Sequence, residues 1–165
     1  MARILIVGGG CRGRALAAAM TGEGHAVRMT TRSEAGRAAI EAAGAECWIG
    51  TPDRLATLRG ALENVTVLCW LMGTAAGSEE ELRALHGTRL EFFLTQAIDT
   101  TVRGFLYEAP STSPPSAPVL EGATRARVLL ERNAIPAAFL DADPADAGAW
   151  LEQARAAVGA MLDPA

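Results

Sequence analysis

The residues of this chain best placed for chemistry begin where the apolar run Ile4-Leu5-Ile6-Val7 meets Gly8-Gly9-Gly10-Cys11-Arg12-Gly13, followed by Arg14-Ala15-Leu16-Ala17. Gly8-x-Gly10-x-x-Gly13, directly after a strand and at the opening of a helix, is the pattern that brings backbone N–H groups to an anion. Gly8 would allow the tight turn, Gly10 the close approach of the backbone to a pyrophosphate, and Gly13 the packing of helix on strand. The alternative is that these glycines only turn a strand into a helix. Cys11 lies inside the turn, either as a small residue beside a bound group or as a reactive thiol.

About 20 positions beyond such a turn, an acidic residue usually accepts from the ribose hydroxyls of NAD. Here that place reads Thr30-Thr31-Arg32-Ser33. An arginine flanked by hydroxyls cannot accept from a ribose, but it can donate several hydrogen bonds to a 2′-phosphate. NADP(H) is therefore expected in preference to NAD(H), with Arg32 as the selecting group. Arg12, on the glycine turn, is the second candidate for the same end of the adenosine. Both arginines have the alternative of being solvated surface charges.

A third group falls at the end of the fifth expected strand: Tyr107, Glu108, Ser111, Thr112 and Ser113. Tyr107 or Ser111 is a candidate to orient a carbonyl or quinone acceptor, since hydride transfer itself needs mainly the cofactor and a positioned acceptor. The alternative makes Tyr107 core and the serines a polar loop. Asp141, Asp143 and Asp146 have the spacing of a loop and a helix cap, and no metal is expected. His25, in the turn before the second strand, reads as structural.

Composition removes several function classes. All 15 basic residues are arginines, so no lysine general acid, Schiff base or Walker-type lysine exists. A formal net charge of −4 supplies no field for a polyanion, and nucleic acid is not an expected partner. Three scattered cysteines form neither a disulfide framework nor a zinc site, which fits a reducing cytoplasm. The apolar run before the glycines is too short for a signal peptide or a membrane span. The 165 residues suit one domain, expected to cover 1–165.

Short β-rich runs alternate with alanine- and leucine-rich stretches throughout, which implies parallel strands joined by helical crossovers. Strands are expected over 3–7, 26–31, 45–49, 65–71, 101–107 and 135–140. Helices are expected over 13–21, 34–43, 53–62, 79–98, 118–132 and 144–161. Ser33 and Ser78 are candidate caps, and Pro144 a first-turn proline. Leu82, Leu85, Leu90, Phe93, Leu94 and Ala97 mark one buried helix face. The fold class is α/β, a doubly wound, mostly parallel six-stranded sheet with helices on both faces. Phe92 and Phe93 cannot face the same core, so Phe92 is a candidate contact in a homodimer.

From Ile4 to about Leu140 the chain resembles the atypical and extended short-chain dehydrogenase/reductases, including the NmrA-like group. The resemblance rests on the glycine turn, Gly24-His25-Ala26-Val27 entering the second strand, Thr31-Arg32, and Gly50-Thr51-Pro52-Asp53 with Leu58-Arg59-Gly60-Ala61-Leu62. It implies that Asp53 lies near the adenine and that Leu71-Met72-Gly73-Thr74 lines the nicotinamide ribose. Asp53 has the alternative, compatible role of a helix cap. The family's tyrosine and lysine pair is absent, and so is the small substrate lobe. The implied function is an NADP(H)-binding protein, either a minimal reductase with a small-molecule acceptor or a sensor of redox state. The alternative is an interaction module that kept the fold and lost the cofactor.

Overall fold

The computed structural model describes residues 1–110 and 117–164, so Ser111, Thr112 and Ser113 lie outside the described residues. The strands are β1 (Arg3–Gly8), β2 (Ala26–Thr31), β3 (Glu46–Ile49), β4 (Val67–Leu71), β5 (Gly104–Glu108) and β6 (Ala137–Leu140). They form one sheet in the order β3-β2-β1-β4-β5-β6, and every pairing is parallel. The winding reverses between β1 and β4. There Gly8 is in register with Leu71, which puts the glycine turn beside the loop after β4.

Alternation along β1 divides the core. Leu5 and Val7 join Leu68, Trp70, Phe105 and Tyr107 under helices α3 (Glu79–His86), α4 (Thr88–Ile98) and α5 (Ala117–Arg132). Ile4 and Ile6 join Leu16, Met20, Cys69, Leu106 and Trp150 under α1 (Gly10–Gly22), α2 (Arg37–Ala42) and α6 (Ala147–Leu162). Apolar runs buried on both faces are what a parallel sheet between two helical layers requires. The architecture is a Rossmann fold, in which ligands occupy the crevice at the carboxyl ends of the strands where the winding reverses.

Several elements differ from expectation. The helix expected over 53–62 is instead two 3-10 turns, Leu55–Thr57 and Arg59–Leu62. Side chains bond to carbonyls along this segment: Arg28 Nη1 donates to Ala61 O at 2.6 Å, Trp48 Nε1 to Thr57 O at 2.7 Å, and Thr57 Oγ1 to Arg54 O at 2.6 Å. The helix expected over 79–98 breaks at Gly87, whose φ and ψ are −123° and −101°. Gly122 of α5 lies against the break so closely that a β-carbon there would strike His86 O and Gly87 Cα.

Ser33 precedes a 3-10 turn, Glu34–Gly36, without making a side-chain cap, whereas Ser78 makes a full capping box with Glu81. Pro144 lies ahead of α6 rather than in its first turn; Asp146 caps that helix by accepting from Ala149 N at 3.0 Å.

Candidate functional site

The glycine turn is built from three successive residues with positive φ: Gly8 at 78°, Gly9 at 90° and Gly10 at 53°. Side chains rarely tolerate that region, so the run of glycines is what lets β1 pass straight into α1. A β-carbon on Gly13 would lie 2.9 Å from Met29 Cε and 3.0 Å from Gly8 O, so helix and sheet approach each other where only hydrogen fits. Gly10, by contrast, faces open space. No side chain caps α1, and its first turn contains no acidic residue, leaving backbone N–H groups and a positive dipole end for an anion.

A cavity of about 290 Å³ opens beside this turn at the carboxyl ends of β1, β2 and β3, with Gly8, Gly10, Arg14, Thr31, Arg32 and Gly50 among its lining residues. It unites glycine turn and Arg32, as expected. It also contains Arg14, which sequence reasoning passed over. The signal was its place directly after the third glycine, one turn into a helix whose opposite face is buried. Among the described residues Arg14 has no hydrogen-bonding or ion-pair partner.

Arg32 is not free. It pairs with Asp53, in the loop after β3, while Arg89 of α4 donates to the other carboxylate oxygen at 2.7 Å. Burial of Asp53 opposes ionisation, but the Arg32 hydrogen bond and the two guanidinium charges outweigh it and hold the carboxyl below its ordinary range. Asp53 thus anchors two arginines. Its carboxylate caps no helix here, for no helix starts at that position. Ser33, exposed, offers its carbonyl to Thr31 Oγ1 at 3.4 Å. A second cavity of about 460 Å³ adjoins the first, sharing Arg32 and Met72 and adding Asp53, Ala75, Leu82 and Leu85.

Arg12 departs from its expected place beside Arg32. Its Nη2 donates to Thr74 Oγ1 at 2.9 Å and to Glu108 Oε2 at 3.3 Å, and its guanidinium lies 5.3 Å from the centre of the Trp150 ring. The attraction is Glu108, a carboxylate only 4% exposed at the end of β5. Glu108 also accepts from Gly73 N at 2.7 Å and from Trp150 Nε1 at 2.6 Å. A buried charge needs such partners, and Arg12 supplies the counter-charge. Sequence reasoning placed Glu108 at this strand end without giving it a role. The long-range partner Trp150, on the last helix, left no local trace.

Tyr107, a candidate for orienting an acceptor, is core. It is 1% exposed, and its hydroxyl lies 2.7 Å from Nδ1 of the equally buried His86. Burial pushes the phenol up, aided by the Glu108 charge, and pushes His86 down to about 4 despite a hydrogen bond to the Met72 backbone. A neutral imidazole that donates to the Met72 carbonyl and accepts from Tyr107 satisfies both buried groups. Ser111, the other candidate, lies outside the described residues. Cys11 is exposed on the turn. Met72 and Gly73 directly follow β4, and Met72 Sδ packs so closely on Gly8 that a β-carbon there would collide with it.

Among the described residues no helix is long and apolar enough to cross a membrane, and no cluster of three metal-ligating side chains occurs.

No family model matches the sequence, and no curated protein sequence matches it. Solved structures do match the fold. BdcA (YjgI) from E. coli superposes with a TM-score of 0.72 over 93% of this chain and 88% of its own, at 15% identity. A short-chain dehydrogenase/reductase superfamily protein from Agrobacterium tumefaciens, with bound NAD, gives 0.62 over 83% of this chain and 48% of its own, at 20% identity. The triphenylmethane reductase of Citrobacter sp., complexed with NADP(H), gives 0.61 over 85% and 48%, at 16% identity. The chain spans about half the length of several such structures. It has the Rossmann fold of these proteins.

Proposed function

We propose that the protein is a relative of the atypical short-chain dehydrogenase/reductases that binds NADP(H) at the glycine turn, with Arg32 selecting the phosphorylated cofactor. The observation that carries this reading is the charge around the cavity beside β2. Arg14 and Arg32 both line it, Arg32 sharing Asp53 with Arg89 and Arg14 unpaired, and no carboxylate is among its lining residues. A phosphate monoester carries about two negative charges at neutral pH and matches that balance. A ribose diol has no charge to offer, and Arg32 stands where its usual acidic acceptor would be.

A role in binding is better supported than a role in reduction. Tyr107 is buried on His86, and the chain contains no lysine, so the family's proton-donating pair has no counterpart.

Thermal unfolding with excess nucleotide tests the reading. Ligand at about 100 times its Kd adds about 2.7 kcal/mol, which for a chain of this size raises Tm by about 5 to 11 °C. NADPH should give that rise and NADH much less. No rise with either would leave a Rossmann interaction module without cofactor.

A further inference from the structure

A Rossmann sheet consists of two mononucleotide-binding halves, and a dinucleotide crosses from one to the other at the reversal between β1 and β4. The two halves of this crevice are not alike. On the β1-β2-β3 side the cavity is open, with Gly10 facing free space and Arg14 unpartnered. On the other side a cavity of about 350 Å³ lies at the ends of β5 and β6, lined by Glu108, Leu140 and Asp141, but the crossing toward it is strapped. Arg12 reaches from the glycine turn to Thr74 after β4 and Glu108 at the end of β5, over the Trp150 ring of α6. Met72 packs on Gly8 at the crossing itself.

The strap is firmly held. Arg12 and Glu108 keep only 14% and 5% of their side-chain surfaces exposed, and Glu108 is fixed further by Gly73 N and Trp150 Nε1. Drawing Arg12 away would leave the buried carboxylate without its counter-charge, a costly arrangement in a dry site. A nicotinamide riboside seated in the second half must displace that side chain. A phosphoadenosine in the first half need not.

Building on the proposed NADP(H) site, we propose that recognition is confined to the 2′-phosphoadenosine half, with the Arg12–Glu108 strap excluding the nicotinamide. The ligand class is therefore adenosine nucleotides that carry a ribose 2′-phosphate, whatever is attached beyond the 5′-phosphate. The oxidised and reduced cofactors differ only in the nicotinamide, so both bind alike. The protein then reports the amount of phosphorylated dinucleotide and not its redox balance, and no hydride is transferred.

Calorimetric titration of the full chain with adenosine 2′,5′-bisphosphate, NADP+ and NADPH tests this. The three dissociation constants should agree within about threefold. Glu108→Gln keeps the bonds from Gly73 and Trp150 but removes the charge that holds Arg12. It should make NADPH bind about tenfold tighter than the bisphosphate, because the competent open form is no longer rare. Should Glu108→Gln fail to fold, Arg12→Ala opens the same strap from its exposed end. Wild-type protein that binds NADPH more than about tenfold tighter than the bisphosphate overturns the inference and leaves the NADP(H) site standing. So does an opened variant with an unchanged ratio. Silence toward all three nucleotides removes the NADP(H) site itself and the inference with it.

Discussion

Arg32, at the end of β2, is paired with Asp53 in the loop after β3, so the group expected to select the cofactor already has a carboxylate to hold. Both side chains are substantially exposed, at 68% and 41%, and an exposed pair is worth at most about 1 kcal/mol. A charge-assisted bond to a 2′-phosphate is worth about 1.5 to 3 kcal/mol. The phosphate wins, with a reduced margin. Arg32→Ala should weaken NADPH binding by about two- to thirtyfold and leave NADH nearly unchanged, measured by calorimetry. Asp53→Asn should do the reverse, tightening NADPH by up to about fivefold as Arg32 and Arg89 are released. An Asp53→Asn protein with weaker NADPH binding would show that the carboxylate positions the arginines more than it competes for them.

Arg14 should matter to the same cofactor. It lines the cavity with Arg32 and is not tied up in an ion pair, so its whole charge is available to a phosphate. Arg14→Gln is expected to lower NADPH affinity by about tenfold and to reduce the salt dependence of binding, since one cation fewer meets the anion. Titrations at low and high ionic strength read both effects. Arg12→Gln, in contrast, should leave the salt dependence of bisphosphate binding unchanged, because Arg12 is committed to Glu108.

How much of this arrangement was legible beforehand depends on the range of the forces involved. β2 matches its expected limits, because alternation and a Gly-His entry are local signals. The capping box at Ser78 is local as well. The turns over 55–62 were not legible, since the groups that bond to that segment, Arg28 and Trp48, come from β2 and β3. The same holds at the site. Gly8, Gly10, Gly13 and Arg32 could be read from spacing, but the direction of Arg12 is decided by Glu108, 96 positions away in the chain.

The buried pair of His86 and Tyr107 makes stability depend on pH. The folded state holds His86 down at about 4, below its ordinary 6.5, chiefly through burial. The unfolded chain therefore binds a proton more readily, and stability falls as acid is added. Stability is full above about pH 6.5 and declines toward pH 4, by an amount on the order of 3 kcal/mol. Urea unfolding at a series of pH values should show this loss. Tyr107→Phe should cost about 1 to 2 kcal/mol by leaving His86 Nδ1 without its donor, while nucleotide binding persists. Loss of binding with stability intact would return Tyr107 to the site.

Phe92 provides the last expectation, which concerns assembly. Phe93 is fully buried while Phe92, its neighbour on α4, is 57% exposed, as two adjacent positions on one helix must be when only one face is covered. Val128 and Leu120 on the adjoining α5 are also exposed large apolar residues, and α4 and α5 pack against each other. Exposed large apolar side chains on two helices that pack together suit a second copy of the same face related by a twofold axis. Light scattering should give about twice the 17.2 kDa chain mass. Phe92→Ser should shift the protein toward that single-chain mass without lowering monomer stability appreciably, because the ring contributes little to the core. A wild-type protein that remains at 17.2 kDa at high concentration would show that the face is left open to water.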